Sequence, residues 1–125
     1  MKLAVVGSRT FNDYNLLVKY LNFIHNKEEI TLIISGGAKG ADKMSEYWAK
    51  DHNIETKIFI PEWNKQGTFN RRAGFERNEL IIKECDKVVA FWDGESNGTR
   101  NDISLAKKYN KKCLVIDYNK LKENN

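Results

Sequence analysis

The stretch LIISGGAKGAD, residues 32–42, decides the fold of this chain. An apolar run, LII, leads through a serine into three glycines within five residues, and Asp42 follows where a helical pattern begins. A short apolar run that breaks at glycines and continues as an amphipathic segment is typical of a buried strand that turns tightly into a helix. The glycines have two alternative explanations: they cradle a phosphate, or they only permit the turn.

The same pattern recurs on both sides of this stretch. Between the apolar runs, leucine, isoleucine, tyrosine and other large apolar residues return at helical spacing. Because the runs are nearly all apolar, they are expected to be covered on both faces, as in a parallel sheet. The order predicts an α/β fold, a three-layer sandwich with a mainly parallel five-stranded sheet and ligands at the carboxyl ends of the strands. The predicted strands are residues 3–6, 31–35, 57–60, 87–91 and 113–117.

Composition narrows the function classes. The chain has 125 residues, of which 41% are hydrophobic and 30% charged, so we expect one globular domain over residues 1–125. No apolar run approaches the ~20 residues of a membrane span, and the N-terminal segment does not resemble a signal peptide, so we expect a cytoplasmic protein. A net charge of +4 favours anionic ligands and says little about nucleic acid. Cys85 and Cys113 lack the spacing of a metal site, and no metal is expected.

The first predicted loop carries hydrogen-bond donors. Gly7, Ser8, Arg9 and Thr10 follow the first strand. An arginine in this place can grip a phosphate or carboxylate at two points. The alternative is that Arg9 pairs with a nearby acid and ties two loops together.

The second predicted loop is the opening stretch. Glycines allow backbone amides to approach an anion, and the helix N-terminus adds free N–H groups. The spacing is neither GxGxxG nor GxxxxGK[ST]. We expect the three glycines to approach a phosphate, with Lys39 at the rim. The candidate ligand-binding residues of this loop are Ser35, Gly36, Gly37, Lys39, Gly40 and Asp42.

Two further segments end at the same predicted edge. In NRRAGFERNELII the candidate ligand-binding residues are Arg72, Arg77 and Asn78. In FWDGESNGTRNDISLA they are Trp92, which can stack on a base or pack on a helix, and Gly98 and Thr99 at a predicted helix start. Asp102 lies one helical turn further on and can point back into the cleft. The sequence shows no Ser/His/Asp, Cys/His or paired-carboxylate arrangement.

Four motifs together resemble the SLOG superfamily, named for the Smf/DprA and LOG proteins, and its small YspA/YpsA-related members in particular. They are VVGSRTFND, IISGGAKGAD, RAGFERN and AFWDGESNGTRNDISLA, and the resemblance extends from residue 1 to about 117. It implies a modified Rossmann fold that binds a nucleotide or nucleotide-derived ligand through glycine-rich loops, often in an oligomer. We accordingly expect a small-molecule partner and a homo-oligomer, with nucleic acid not expected and no cofactor indicated.

The resemblance leaves three functions open. The first is a sensor or sequestering module that binds a nucleotide-derived ligand. The second is an N-glycosidase like the LOG-type phosphoribohydrolases, with Arg77 holding phosphate and a charged Asp102 stabilising an oxocarbenium-like centre. Gly98 and Thr99 match the GT of the family motif PGGxGTxxE, but the PGG is absent and Asp102 stands where the glutamate would be. The third is DprA-like DNA binding.

Overall fold

The computed structural model describes residues 1–65 and 67–123 of the chain; Gln66, Asn124 and Asn125 lie outside the described part. Strands and helices alternate along most of the sequence. In chain order they are β1 (Lys2–Gly7), α1 (Tyr14–Lys27), β2 (Leu32–Ser35), α2 (Ala41–Asp51), β3 (Glu55–Ile58), β4 (Asn64–Lys65), β5 (Thr68–Phe69), α3 (Ala73–Glu84), β6 (Lys87–Trp92), α4 (Asn97–Lys108), β7 (Lys112–Asp117) and α5 (Tyr118–Glu123).

The main sheet has five strands in the order β3-β2-β1-β6-β7, and every neighbouring pair is parallel. Helices flank both faces, so the predicted α/β, Rossmann-like fold is confirmed. No helix in the described ranges is long and apolar enough to cross a membrane. Because every strand points the same way, the loops that follow β1, β2 and β6 meet at one edge of the sheet.

Two apolar layers hold the helices to the sheet. On one face Leu3 and Val5 of β1 pack with Leu17 of α1 and Trp48 of α2. On the other face the intervening residues of β1 pack with Ile81 of α3 and with α4. Alternate residues of one strand therefore serve opposite layers, which explains why the central strands are continuously apolar.

The edge of the sheet departs from the sequence prediction. The third strand lies at Glu55–Ile58 rather than at residues 57–60, and all of it is exposed. Its start is set by the end of α2, where Asn53 has a φ of 55° and the Ile54 amide bonds to the Ala49 carbonyl. The predicted strand began two residues too late because it was drawn from apolar residues, whereas the observed strand starts at the exposed Glu55 and Thr56.

Residues after β3 also form an element that the sequence did not indicate. Strands β4 and β5 pair antiparallel, with Asn64 opposite Phe69. This hairpin lies between β3 and α3 in the chain, in a segment for which the sequence predicts no strand. Two-residue strands are too short for an alternating pattern to reveal them.

Backbone packing joins the first two loops. Gly40 has a φ of 84° and a ψ of −132°, a conformation that is essentially restricted to glycine. A Cβ atom on Gly40 would lie 2.5 Å from the Ser8 carbonyl oxygen. Gly40 is therefore required for a close contact between the β1 and β2 loops.

We predict that Gly40→Ala lowers the free energy of unfolding by about 1–3 kcal/mol, because it adds strain and a backbone clash. Gly98→Ala is the matched control, since a Cβ there meets no atom within 4 Å and Gly98 is helical. That control should be neutral or stabilise by up to about 1 kcal/mol. Urea unfolding of both variants measures the difference, and equal midpoints would contradict the prediction.

Candidate functional site

A cavity of about 290 Å³ lies at the carboxyl edge of the sheet. Four elements meet there: the end of β1 with its loop, the start of α2, the inner face of α3 and the start of α4. The predicted site residues that line this cavity are Gly7, Ser8, Arg9, Thr10, Asp42, Arg77, Asn78, Gly98, Thr99 and Asp102. Residues from all four predicted segments are thus brought together, and their roles in binding remain predictions.

Arg77 connects α3 to the second loop. Its Nη1 donates to the Gly36 carbonyl at 2.9 Å, and its Nε donates to Asn78 Oδ1 at 3.0 Å. A Cβ on Gly36 would lie 2.7 Å from Arg77 Nη1 and 2.9 Å from Asp42 Oδ2. Gly36 therefore allows the guanidinium and the carboxylate to approach the same stretch of backbone.

Asp42 lies in the first turn of α2 and is 7% exposed. Its Oδ2 accepts a hydrogen bond from the Ala38 amide at 3.2 Å. Burial raises the pKa of Asp42 to about 6, although the Ala38 amide and the Arg77 charge oppose the rise. Asp42 is therefore largely ionised at pH 7.

Asp102 is 6% exposed, and its Oδ1 has no hydrogen-bond partner among the described residues. Burial raises the pKa of Asp102 to about 8, the Asp42 charge adds to the rise, and Arg77 opposes it. Asp102 is therefore mainly protonated at pH 7. This differs from the expectation of a charged Asp102, because burial removes that charge.

Asp42 and Asp102 form the paired-carboxylate arrangement that the sequence did not reveal. They lie in different helices far apart in the chain, Asp42 in the first turn of α2 and Asp102 in the second turn of α4, and only the fold brings both to one cavity. The pair differs in pKa, about 6 against about 8. Two carboxyl groups whose environments separate their pKa values are typical of acid–base sites.

Hydroxyl groups of the β1 loop and the start of α4 form a hydrogen-bond network at the same cavity. Ser8 Oγ lies 2.8 Å from Ser96 Oγ, and the Ser96 hydroxyl donates to Thr99 Oγ1 at 3.2 Å. The Asp93 amide donates to Ser8 Oγ at 3.1 Å. This network ties the β1 loop to the start of α4.

Asp93 and Ser96 line the cavity but were not among the predicted site residues. Asp93 Oδ1 accepts from the amides of Glu95 and Ser96 at 2.9 and 2.7 Å. Burial would raise the pKa of Asp93, but those amides and the serine hydroxyls bring it below its usual value. An Asp whose side chain accepts hydrogen bonds from the amides two and three residues ahead is a common feature of turns. The sequence DGES, residues 93–96, could therefore have predicted this turn.

The remaining residues of the second loop do not line the main cavity. Ser35 is buried, and its hydroxyl donates to Glu46 Oε2 at 3.1 Å and accepts from the Gly37 amide at 3.1 Å. Gly36 and Gly37 line a neighbouring cavity, Lys39 is exposed, and Gly40 packs on the Ser8 backbone. Most of these residues shape the loop, and Ala38 is the part of it that reaches the main cavity together with Asp42.

Arg72 and Trp92 also lie outside the cavity wall. Arg72 is exposed at the N-cap of α3. The Trp92 indole donates to the Ser96 carbonyl at 3.1 Å, and the Arg100 guanidinium lies 5.4 Å from its ring centre. Trp92 thus braces the loop between β6 and α4.

Metal-binding groups are not assembled at this site. Within residues 1–65 and 67–123, no three His, Cys, Asp or Glu side chains come together in a way that could hold a metal ion. The described groups instead offer a guanidinium, hydroxyls, a buried carboxylate and a buried neutral acid.

Comparison with known proteins identifies the family. The YAcAr profile, described as the YspA, cpYpsA-related SLOG family, matches residues 1–66. The chain belongs to this family. The resemblance drawn from the four motifs is therefore confirmed at the level of the family.

Two relatives come from phage or prophage. The chain is 28% identical over 114 residues to the Gene 61 protein of Mycobacterium phage D29, which covers 86% of this chain and 89% of that protein. It is 41% identical over 44 residues to the uncharacterized SPbeta prophage-derived protein YoqJ of Bacillus subtilis (strain 168). That shorter match covers 35% of this chain and 26% of the relative.

Two solved structures share the fold. DNA processing protein A of Helicobacter pylori, a protein with a single-stranded DNA binding mode, superposes with a TM-score of 0.71 at 22% identity. DprA of Streptococcus pneumoniae gives a TM-score of 0.59 at 21% identity. The alignments cover 92% and 98% of this chain but only 64% and 61% of those chains. These likenesses show the fold of the chain.

We predict that stability falls as the pH rises from about 4 to about 8. Unfolded Asp102 loses its proton near 3.8, whereas the folded side chain keeps it up to about 8. In this window the folded chain binds more protons than the unfolded chain, so each pH unit lowers the free energy of unfolding by up to about 1.4 kcal/mol for this group.

Asp102→Asn tests the assignment, because an amide resembles the neutral carboxyl and cannot ionise. Urea unfolding should give similar stabilities for wild type and variant near pH 4 and a more stable variant near pH 8. The exposed Asp51→Asn is the matched control and should keep the wild-type slope. An unchanged slope in Asp102→Asn would show that Asp102 does not titrate as described.

Proposed function

We propose that the cavity binds a nucleotide-derived small molecule by its phosphate, so that the protein acts as a sensor or sequestering module. The observation that carries this proposal is the convergence of Arg77 and the start of α4 on one cavity. A guanidinium and a helix N-terminus are both strong anion-binding groups. Membership of the SLOG family supports the same class of ligand.

The start of α4 is well suited to a phosphate. No side chain caps the helix at Ser96, and the first N–H groups of a helix have no intrahelical partner. Gly98 and Thr99 line the cavity, and the position of a Cβ on Gly98 is open space. The cavity therefore leaves room for a phosphate beside Gly98 at the start of α4.

The carboxyl pair supports recognition of a sugar beside that phosphate. At pH 7 the ionised Asp42 accepts hydrogen bonds, whereas the protonated Asp102 can donate one. Both are buried, so an unpaired polar atom such as Asp102 Oδ1 is costly until a ligand supplies a partner. Ribose hydroxyls both donate and accept, and they fit this combination.

The same proposal treats residues 1–125 as one binding unit that acts in the cytoplasm as a homo-oligomer. Exposed apolar residues on α1 and β7 support the oligomer, since Phe23 is 53%, Leu114 42% and Val115 40% exposed. Large exposed apolar side chains at a sheet edge favour association. Native mass spectrometry measures the number of copies directly.

We predict that Arg77→Ala weakens binding of AMP, tested as a probe, by about 10- to 100-fold, because charge-assisted hydrogen bonds contribute about 1.5–3 kcal/mol. Arg77→Lys should recover part of the affinity by restoring the charge. Isothermal titration calorimetry measures both. The exposed Arg71→Ala is the matched control.

A thermal melt of each variant shows whether the loss of the bond to Gly36 has disturbed the fold. If Arg71→Ala and Arg77→Ala weaken AMP binding equally in folded protein, the phosphate is not held in this cavity. A panel of mono-, di- and cyclic nucleotides and ADP-ribose then tests the class of ligand, and no binding by any of them would refute the proposed function.

The carboxyl pair favours a second candidate function, hydrolysis of the N-glycosidic bond of a nucleoside monophosphate. Water would attack C1′ of the ribose, the bond to the base would break, and Asp102 would give its proton to the departing base. Ionised Asp42 would take the proton from the water. These roles follow from the pKa values of about 6 and about 8.

Hydrolysis predicts that purified protein releases free base and ribose 5-phosphate from AMP. The rate should be highest between about pH 6 and 8, because it needs ionised Asp42 and protonated Asp102. Asp102→Asn should reduce the rate at least 100-fold, since an amide has no proton of suitable acidity. Chromatography of the products measures the rate, and full turnover by Asp102→Asn would remove Asp102 from the mechanism.

A further inference from the structure

A second cavity, of about 330 Å³, adjoins the first. Arg9, Ala38 and Arg77 line both cavities, so the two share a wall. The first cavity presents carboxyl and hydroxyl groups, whereas the outer wall of the second is apolar. Its apolar side is formed by Ile58, Ile60, Pro61 and Trp63.

We propose that this second cavity is the subsite for the base of the bound nucleotide, with Trp63 as the stacking surface. The inference rests on the proposed function, which places the phosphate and sugar in the first cavity. It adds a side chain that distinguishes a nucleotide from a sugar phosphate. It also gives the hairpin of β4 and β5 a role in ligand binding, because the hairpin positions Trp63.

Trp63 is held in place rather than extended freely into solvent. Its ring stacks on Phe69 across the hairpin, with ring centres 6.2 Å apart and an angle of 10° between the planes. Its Cη2 atom lies 3.7 Å from the position of a Cβ on Gly74, at the start of α3. A ring that is already stacked on Phe69 loses little entropy when a base stacks on it.

The apolar side chains of this cavity are not part of the folded core. Ile60 is 75% exposed, and Ile58 and Trp63 are each 42% exposed. Covering such side chains with a flat apolar ligand removes apolar surface from water. Ile58 Cγ2 also lies 3.0 Å from the position of a Cβ on Gly37, so the glycine loop and the apolar wall are in contact.

Charge distinguishes the two ends of this ligand path. Arg9 and Arg77 stand where the cavities join, and they suit a phosphate or the sugar next to it. Beyond them the four apolar side chains offer only the indole N–H of Trp63 to a base edge, and Lys43, which also lines this cavity, adds one flexible cation. Stacking on an aromatic ring accepts every base, so this subsite should bind purines and pyrimidines alike.

The test compares AMP with ribose 5-phosphate, which has the same phosphate and sugar without the base. Wild-type protein should bind AMP about 5- to 100-fold more tightly, the range expected for stacking of one base. Trp63→Ala should abolish that preference while leaving the affinity for ribose 5-phosphate unchanged. Trp63→Phe should keep most of the preference for AMP. Tyr47→Ala, at an exposed aromatic on α2 that lines neither cavity, is the control.

The outcomes separate this inference from the proposed function. Equal wild-type affinities for AMP and ribose 5-phosphate would overturn the base subsite and leave phosphate binding intact. If Trp63→Ala weakens both ligands by the same factor, Trp63 serves the structure of the hairpin, which also overturns the inference. If neither ligand binds, the proposed function and the subsite fail together.

A further comparison tests whether the bound nucleotide is free or part of a single strand. Short oligothymidylate is compared with dTMP at increasing salt. Equal affinities per site indicate a free nucleotide, whereas a tighter oligonucleotide complex that weakens steeply with salt indicates a single strand. In both cases Trp63→Ala should weaken binding of the base-containing ligand. Binding that Trp63→Ala leaves unchanged would refute the subsite.

Discussion

The hydrogen bond from Arg77 Nη1 to the Gly36 carbonyl joins the parts of the molecule on which the site depends. It connects α3 to the loop after β2, and it is possible because Gly36 has no Cβ in the space that Arg77 Nη1 and Asp42 Oδ2 approach. The same guanidinium opposes the rise in the pKa of Asp42 and Asp102. It also lies between the two cavities, so one side chain links loop geometry, electrostatics and ligand access.

Burial of two carboxyl groups is expensive, and the structure does little to offset it. No salt bridge within 4.0 Å involves Asp42 or Asp102 in the part of the chain that the structure describes. Each group therefore keeps a raised pKa and lowers stability near neutral pH. Structural carboxylates are normally paired or exposed. Carboxyl groups that are buried, unpaired and directed into a cavity are more typical of sites that act on ligands.

The sequence predicted the central features of the fold because they depend on local patterns. The runs around Val5, Ile33 and Val89 are apolar on both faces, and glycines or polar residues follow each run at one edge. The same reasoning singled out Arg77 and Asp102, which line the cavity, and their roles there stay predictions. It could not tell that two acids from separate helices line the same cavity, because α2 and α4 pack on opposite faces of the sheet and both reach the cavity only at its carboxyl edge.

The sequence could not decide how individual loop groups are used. Ser35, Gly40 and Trp92 have the residue types of a ligand loop, yet their contacts run to Glu46, the Ser8 backbone and Ser96. A hydroxyl or indole that can bind a ligand can equally satisfy a backbone group, and tertiary packing selects between the two. The hairpin that carries Trp63 was missed for a related reason, since its strands are held by pairing and aromatic stacking rather than by periodicity.

Burial also explains how an anion can bind beside acidic residues. With Asp102 protonated, the charges facing the main cavity at pH 7 are those of Arg9, Arg77, Asp42 and Asp93. Asp93 directs its Oδ1 to the amides of Glu95 and Ser96, which offsets much of its field. An ionised Asp102 would add a negative charge in a low-dielectric wall, where repulsion of a phosphate is strong. The desolvation that costs stability therefore removes the charge that would oppose the ligand.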